Sequence, residues 1–215
     1  MRTVLLTGFE PFDQDTINPS WEAVRLLDGT QLGDDVRIIA RQLPCAFANA
    51  GACLNELLAE HRPQMAIAIG LAPGRSDLSI ERVAININDA RIPDNLGHQP
   101  IDSPVVPGGP AAYFSTLPIK AMVRALRAVG IPASVSQTAG TFVCNQVFYS
   151  LQHALADSAV RSGFIHVPYL PEQAARSAPG QPSLALEILA EGLRIAALTA
   201  WNTQVDLAET GGQVS

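Results

Sequence analysis

The sequence predicts an α/β fold, a single-domain α/β/α sandwich with a twisted, mostly parallel central sheet. Apolar runs typical of buried strands alternate with segments of helical spacing along nearly all of its 215 residues. A composition of 47% hydrophobic and 16% charged residues provides one full core and excludes a disordered chain. No internal repeat or linker interrupts the pattern, so we expect one domain over residues 1–201 and a polar, flexible tail over residues 202–215.

The predicted strands are short apolar runs that end in glycine or in polar residues. Residues 65–69 are apolar throughout, which is typical of a central strand buried on both faces. Residues 78–88 alternate apolar and polar side chains from Val83 onward, which favours a strand with one wetter face and an antiparallel excursion of the sheet. The other predicted strands cover residues 4–6, 36–40, 133–136 and 164–167.

The predicted helices carry apolar side chains at intervals of three and four residues. Asn18 and Pro19 precede a helix over residues 21–27, as a polar cap and a first-turn proline. Residues 90–118 are rich in Pro, Gly, Asp and Asn and predict a long loop that is functional or mobile. The remaining predicted helices cover residues 47–60, 119–129, 142–156 and 183–201.

Charge and cysteine content limit the classes of function. With 14 basic and 20 acidic residues the formal net charge is −6, and no basic stripe stands out, which argues against binding to nucleic acid. No apolar run is long enough for a signal sequence or a membrane span. Three cysteines without a C-x-x-C pair favour free thiols and a cytoplasmic location. No Cys/His spacing indicates a metal, and no glycine-rich motif indicates a nucleotide cofactor.

One cysteine lies where α/β hydrolases place a nucleophile. In residues 137–145 a predicted strand ends, Gly140 allows a tight turn, and a helix begins. With Thr141 as the N-cap, Cys144 falls at the third helical position, where the helix dipole lowers the pKa of a thiol. The alternative is an inert, buried cysteine, which is the preferred interpretation for the other two cysteines.

A catalytic thiol needs an imidazole to accept its proton and to return it to the leaving amine. His166 ends a predicted strand that follows the Cys144 helix, so a right-handed crossover could place the two side chains together. His153 lies about 13 Å further along the same helix, since each helical residue adds about 1.5 Å. His61 is expected to be solvated, and nothing fixes His98 in its loop. A core histidine with a backbone partner is the alternative for His166.

The imidazole in turn needs a group that orients it. Glu81 has the same strand parity as Val83 and the apolar residues after it, and a carboxylate on an apolar face needs a partner. Asp89 and Asp94 in the following loop are rival candidates. For each of the three carboxylates, a solvated side chain or a structural ion pair is the alternative.

Five blocks of sequence resemble, in order, the pyroglutamyl peptidase type I family, also called pyrrolidone-carboxylate peptidases, which are cytosolic cysteine exopeptidases. The blocks are TGFEPF at 7–12 with NPS at 18–20, GR at 74–75 with ERVAIN at 81–86, DARIPDN at 89–95 with QP at 99–100, AGTFVCN at 139–145, and HVP at 166–168. They span most of the chain, which makes the resemblance highly specific.

The resemblance implies a Cys-His-Glu triad that removes N-terminal pyroglutamyl residues from peptides through a thioester. Cys144 would be the nucleophile, His166 the general base and acid, and Glu81 the residue that orients His166. Arg91 would lie near the oxyanion or support its loop. The family implies no metal or cofactor, and a homo-oligomer, either a dimer or a tetramer. The residues expected to line or flank the substrate pocket are Phe9, Phe12, Asn18, Ile92, Phe142 and Val143.

Two departures from the family pattern affect the expected pocket. Asp13 and Gln14 stand where the family often has two glycines, and Leu71 lies in a segment that commonly carries a glutamine. A leucine cannot make the hydrogen bond of a glutamine side chain. Two alternative functions therefore remain from the sequence: a cysteine amidase or thioesterase with a different acyl pocket, and a non-catalytic protein with a reactive thiol.

Overall fold

A seven-stranded sheet between two layers of helices forms the body of the protein in the computed structural model, which describes residues 1–212. The sheet contains β1 (Arg2–Phe9), β2 (Gln31–Gly33), β3 (Val36–Leu43), β4 (Met65–Leu71), β5 (Leu78–Glu81), β8 (Ala133–Ser136) and β9 (Arg161–Val167), and a separate two-stranded sheet contains β6 (Val83–Ile85) and β7 (Ala112–Phe114). The helices are α1 (Pro19–Arg25), α2 (Ala50–His61), α3 (Ile119–Ala128), α4 (Val143–Ala154), α5 (Pro171–Ala174) and α6 (Leu186–Asn202).

Two hydrophobic clusters form the core, one on each face of the sheet. Apolar residues of α1, α3 and α6 pack on one face. Those of α2 and α4 pack on the other face, against alternate residues of β1 and β4 such as Leu5 and Ala66. The predicted α/β/α sandwich is therefore confirmed.

The direction of the strands changes twice within the sheet, between the edge strand β2 and β3 and between β9 and β5. The strand order is β2-β3-β1-β4-β9-β5-β8, and β3, β1, β4 and β9 are parallel neighbours. Strand β5 runs antiparallel to β9 and parallel to β8, so these two strands form a second block of opposite direction. This arrangement confirms a mostly parallel sheet with an antiparallel excursion.

The predicted strand over residues 78–88 is divided at Arg82. Its first part, β5, lies in the main sheet, and its second part, β6, leaves that sheet to pair with β7. The backbone N–H of Arg82 still donates to Ser136 of β8, whereas its carbonyl accepts from Ser115 after β7. The apolar positions change phase at this division, from Leu78 and Ile80 before it to Val83 and Ile85 after it, although the sequence was interpreted as a single strand.

The expected route between the thiol and the imidazole is also different. Strands β8 and β9 are separated by β5 and run in opposite directions, so α4 does not form a parallel crossover between neighbouring strands. Strands β2 and β7 and helix α5 were not predicted. Each has three or four residues, too few to show a period.

The segment after α6 lies against α3. The carboxylate of Asp206 accepts hydrogen bonds from the backbone N–H groups of Lys120 and Ala121, at 3.1 and 3.0 Å. The guanidinium of Arg82 donates to the carbonyl of Gly211. The mobility expected for residues 202–215 stays a prediction, as does the domain boundary at residue 201, and residues 213–215 lie outside the described part. Within residues 1–212, no helix has the length and apolarity needed to cross a membrane.

Candidate active site

A buried carboxylate–imidazole pair lies at the boundary between β9 and β5. The antiparallel register pairs Ser79 with His166, which places Glu81 diagonally opposite the imidazole on the same face. Oε1 of Glu81 is 2.7 Å from Nδ1 of His166, and both side chains are almost completely buried. Because the carboxylate accepts the Nδ1 proton, Nε2 is the nitrogen left to accept a proton from another group.

The thiol of Cys144 lies beside this pair because a glycine leaves room for it. Gly70 of β4 is directly paired with His166 in the parallel register, so their side-chain positions share one face. A Cβ atom at Gly70 would lie only 2.7 Å from Sγ of Cys144 and 2.8 Å from the ring of Phe164. That ring packs against His166, with centroids 4.8 Å apart. The sulfur and the imidazole therefore occupy the same end of β4 and β9.

Helix α4 begins one residue later than the sequence predicts. Phe142 is its N-cap, so Cys144 is the second helical residue rather than the third. The hydroxyl of Thr141 does not cap the helix but donates to the carbonyl of Asp89 at 2.7 Å. Asn145 holds the helix in place through hydrogen bonds of its side chain to the backbone of Ile85, at the end of β6, and of Ile87.

Burial controls the charge of both reacting groups. It raises the pKa of the Cys144 thiol, with further contributions from Cys45 and Glu81, whereas Arg75 and the backbone N–H of Cys144 act in the opposite direction. The lowering expected from the helix dipole alone is thus outweighed. Burial also lowers the pKa of His166, against the raising effect of Glu81. Both directions favour the neutral forms of the thiol and the imidazole.

Three phenylalanine rings form an aromatic cluster at the start of α4. The ring of Phe142 lies 5.2 Å from that of Phe12 and 5.1 Å from that of Phe47, the latter in an edge-on arrangement. Phe47 was not among the predicted pocket residues, because it lies in what was taken as the first turn of a helix that begins only at Ala50. Val143 follows in the sequence and is completely buried.

Two other predicted pocket residues, Phe9 and Asn18, are buried. Phe9 is buried in the core and packs on Phe164, with ring centroids 6.5 Å apart. Asn18 is the N-cap of α1, and its Oδ1 accepts from the backbone and the hydroxyl of Ser20. The same hydroxyl accepts from the backbone N–H of Phe9. Neither side chain therefore extends into open space in this structure.

The loop after Asn88 supplies the remaining predicted residues. Ile92 is half-buried and Arg91 is exposed, and the hydrogen bond described for Arg91 within residues 1–212 is the one that its carbonyl accepts from Gln99. Asp94, a rival for the role of Glu81, instead accepts from the backbone N–H groups of Phe47, Leu96 and His98.

No other described histidine pairs with Glu81, and no metal cluster is formed. His153 bonds to the hydroxyl of Tyr113, and His98 lies near Asp94. Across residues 1–212, no group of three or more His, Cys, Asp or Glu side chains is arranged to hold a metal ion. Sequence patterns did not point to Arg75, which donates to the same Glu81 oxygen at 2.7 Å and was noted only as part of a motif.

Comparison with known proteins identifies the family. The sequence profile described as "Pyroglutamyl peptidase" matches residues 2–203. A "Pyrrolidone-carboxylate peptidase" of Pseudomonas fluorescens (strain SBW25) is 74% identical over the full length of both chains. The solved structure of Bacillus amyloliquefaciens pyroglutamyl peptidase I has a TM-score of 0.92 at 46% identity, covering 96% of this chain and 100% of that chain. The pyrrolidone carboxyl peptidase of Thermococcus litoralis has a TM-score of 0.90 at 39% identity, covering 94% of each chain. The resemblance seen in the five sequence blocks is thus confirmed, and the chain belongs to the pyroglutamyl peptidase family of cysteine-type hydrolases.

Proposed function

We propose that this protein removes an N-terminal pyroglutamyl residue from peptides by a Cys144–His166–Glu81 triad through a thioester. The observation that carries the proposal is the buried hydrogen bond between Glu81 and Nδ1 of His166, beside the Sγ of Cys144 at the start of α4. A nucleophile, a base and an orienting carboxylate are the groups that acyl transfer needs. Membership of the family supports the choice of acyl group.

The first half of the reaction forms the thioester. Sγ of Cys144 attacks the pyroglutamyl carbonyl carbon while its proton passes to Nε2 of His166. Backbone N–H groups in the first turn of α4 stabilise the oxyanion, because they have no acceptor within the helix. When the tetrahedral intermediate collapses, the C–N bond breaks and His166 returns the proton to the leaving amine, which departs as the shortened peptide.

The second half consumes one water molecule. His166 takes a proton from the water, whose oxygen attacks the thioester carbon. The C–S bond then breaks, the thiolate of Cys144 regains the proton, and free 5-oxoproline is released. Burial raises the pKa of the thiol and lowers that of His166, which favours His166 as a general base in the first step over a preformed ion pair.

The substrate class fits an apolar, flat pocket. A pyroglutamyl ring is a neutral lactam without a free α-amine, so its pocket needs no carboxylate to bind an ammonium group. The rings of Phe12, Phe47 and Phe142 provide aromatic walls within reach of Cys144. Ile92 and Arg91 are proposed to close the pocket from the loop, with Arg91 near the oxyanion. Polar contacts to the lactam would reject a prolyl ring, which lacks the carbonyl.

Release of a fluorophore from a pyroglutamyl amide tests the proposal, with prolyl and leucyl amides as competing substrates. We expect cleavage of the pyroglutamyl amide alone, and loss of that activity in Cys144→Ala. Cys53→Ala is the matched control, because Cys53 is half-buried on α2 and is expected to leave the activity unchanged. Activity in Cys144→Ala would contradict the mechanism, and equal cleavage of the prolyl amide would contradict the proposed specificity. A cytoplasmic location and a dimer or tetramer stay predictions.

A further inference from the structure

Arg75 lies in the turn between β4 and β5 and reaches the buried carboxylate of Glu81. Its Nη1 is 2.7 Å from Oε1, the same oxygen that accepts the hydrogen bond of His166. Its Nη2 donates to the carbonyl of Thr138 at 3.0 Å, in the segment that leads from β8 to α4. One guanidinium therefore contacts both the carboxylate of the proposed triad and the turn that leads into the helix of Cys144.

The ion pair with Arg75 compensates the negative charge of Glu81. Glu81 is fully buried, and an ionised carboxylate without a partner is costly in such a place. Its second oxygen, Oε2, has no hydrogen-bond partner among residues 1–212. Of the two groups that donate to Oε1, only Arg75 carries a permanent charge. Without Arg75, the buried pair of Glu81 and His166 would lose its compensating positive charge, and the pKa of His166 would rise.

We propose that Arg75 is a positioning residue for the hydrolysis. Its positive charge compensates the carboxylate of Glu81 and holds that carboxylate toward Nδ1 of His166, so that Nε2 is free to act as the base. Its second nitrogen holds Thr138 and so fixes the entry to α4. The inference rests on the proposed function, because it assigns a role within the same triad.

The opposite side of Arg75 is open to solution. Its side chain is 27% exposed and lines a cavity of about 1060 Å³ between α3, β5, β8 and residues 209–212. Arg124 lines the same cavity but forms its ion pair with Glu209. A free guanidinium ion can therefore enter the space that truncation of Arg75 would leave, whereas truncation of Arg124 alters the cavity without touching the triad.

The test is chemical rescue of Arg75→Ala. We expect kcat/KM for a pyroglutamyl amide to fall about 10- to 100-fold, the usual effect of removing a partner that orients a reacting side chain. Millimolar guanidinium chloride should restore part of the activity in a saturable way. Sodium chloride at the same ionic strength and urea, which has the same shape without the charge, should not. Arg75→Lys should retain more activity than Arg75→Ala, and Arg124→Ala should match the unmodified protein.

The pH profile separates positioning from a merely structural effect. Arg75 lowers the pKa of both His166 and Cys144, so its loss should move the profile of kcat/KM to higher pH. Glu81→Gln should move the acid limb the other way, because the carboxylate raises the pKa of His166. Unchanged kcat/KM in Arg75→Ala overturns the inference. So does a loss without guanidinium rescue or shift of the profile, and so does an equal loss in Arg124→Ala.

A readout without substrate keeps the two proposals distinct. The rate at which iodoacetamide alkylates Cys144, located by peptide mapping, should also shift to higher pH in Arg75→Ala and return with guanidinium. If the unmodified protein cleaves no pyroglutamyl amide, the proposed function fails, and this alkylation profile still decides the role of Arg75. An alkylation profile identical in both proteins would overturn the inference alone.

Discussion

Gly70 shows how a single missing side chain creates the candidate site. It is followed by Leu71 at the end of β4, and only hydrogen occupies the position that Sγ of Cys144 approaches. We predict that Gly70→Ala lowers kcat/KM about 100-fold, because a displacement of about 1 Å is enough for such a loss. Steady-state kinetics with the pyroglutamyl amide measures this effect.

The control for that substitution is Gly33→Ala at the edge of the sheet. A Cβ atom at Gly33 has no atom within 4 Å, so the activity should be unchanged. Equal activity of Gly70→Ala and the unmodified protein would show that the thiol does not need this space. The sequence did not predict this role of Gly70. The β4 segment is apolar at every position, and its pattern does not distinguish a glycine at a strand end from one that leaves room for a sulfur atom.

Helix α4 depends on an internal asparagine for its place. Asn145 is fully buried, and its side chain bonds to the N–H and carbonyl of Ile85 and to the carbonyl of Ile87, at 2.8–3.0 Å. We predict that Asn145→Ala lowers the free energy of unfolding by about 3 kcal/mol, since it leaves buried backbone groups unpaired. Urea unfolding followed by circular dichroism measures the change.

Asn55→Ala provides the comparison within the other helix of the same layer. Asn55 is exposed on α2, so its replacement should change the free energy of unfolding by less than about 0.5 kcal/mol. Similar losses in the two variants would mean that the asparagine bridge contributes little. The hydrogen bonds of Asn145 link segments about 60 residues apart in sequence, and no local sequence pattern predicts them.

Strands and helices were predictable where one hydrophobic periodicity extends over enough residues. Strand β4 and helix α6 were found because their apolar patterns are continuous. Strand β7 was missed because its three residues are too few to show a period. The start of α4 was misplaced by one residue because Thr141 uses its hydroxyl on Asp89, a contact 52 residues away. The residues of the site could be ranked from type and position, but their distances depended on the strand order.

The segment after α6, residues 203–212, connects the end of the fold to helix α3. Helix α3 has Pro118 at its N-cap and no capping side chain of its own. Asp206, 86 residues further on than Lys120, accepts from two N–H groups of the first turn instead. We predict that Asp206→Ala lowers the free energy of unfolding by about 1 kcal/mol, as loss of a helix cap does, measured by urea unfolding.

Gln204→Ala is the control for that change, because Gln204 is exposed in the same segment. An Asp206→Ala protein as stable as this control would mean that the segment does not stabilise α3. The composition correctly indicated one core, but it could not show that polar residues near the end of the chain complete a helix far from them in sequence.

The reversal of strand direction between β9 and β5 divides the main sheet into two blocks of strands. Two backbone pairs join the strands there, and the bond from His166 to Glu81 crosses the same line. A parting of the two blocks would separate the base from its carboxylate, but it would also break the hydrophobic cluster that α1, α3 and α6 form across both blocks. The geometry of the base and its carboxylate is therefore held by the packing of a whole helical layer and not only by the few strand hydrogen bonds between β9 and β5.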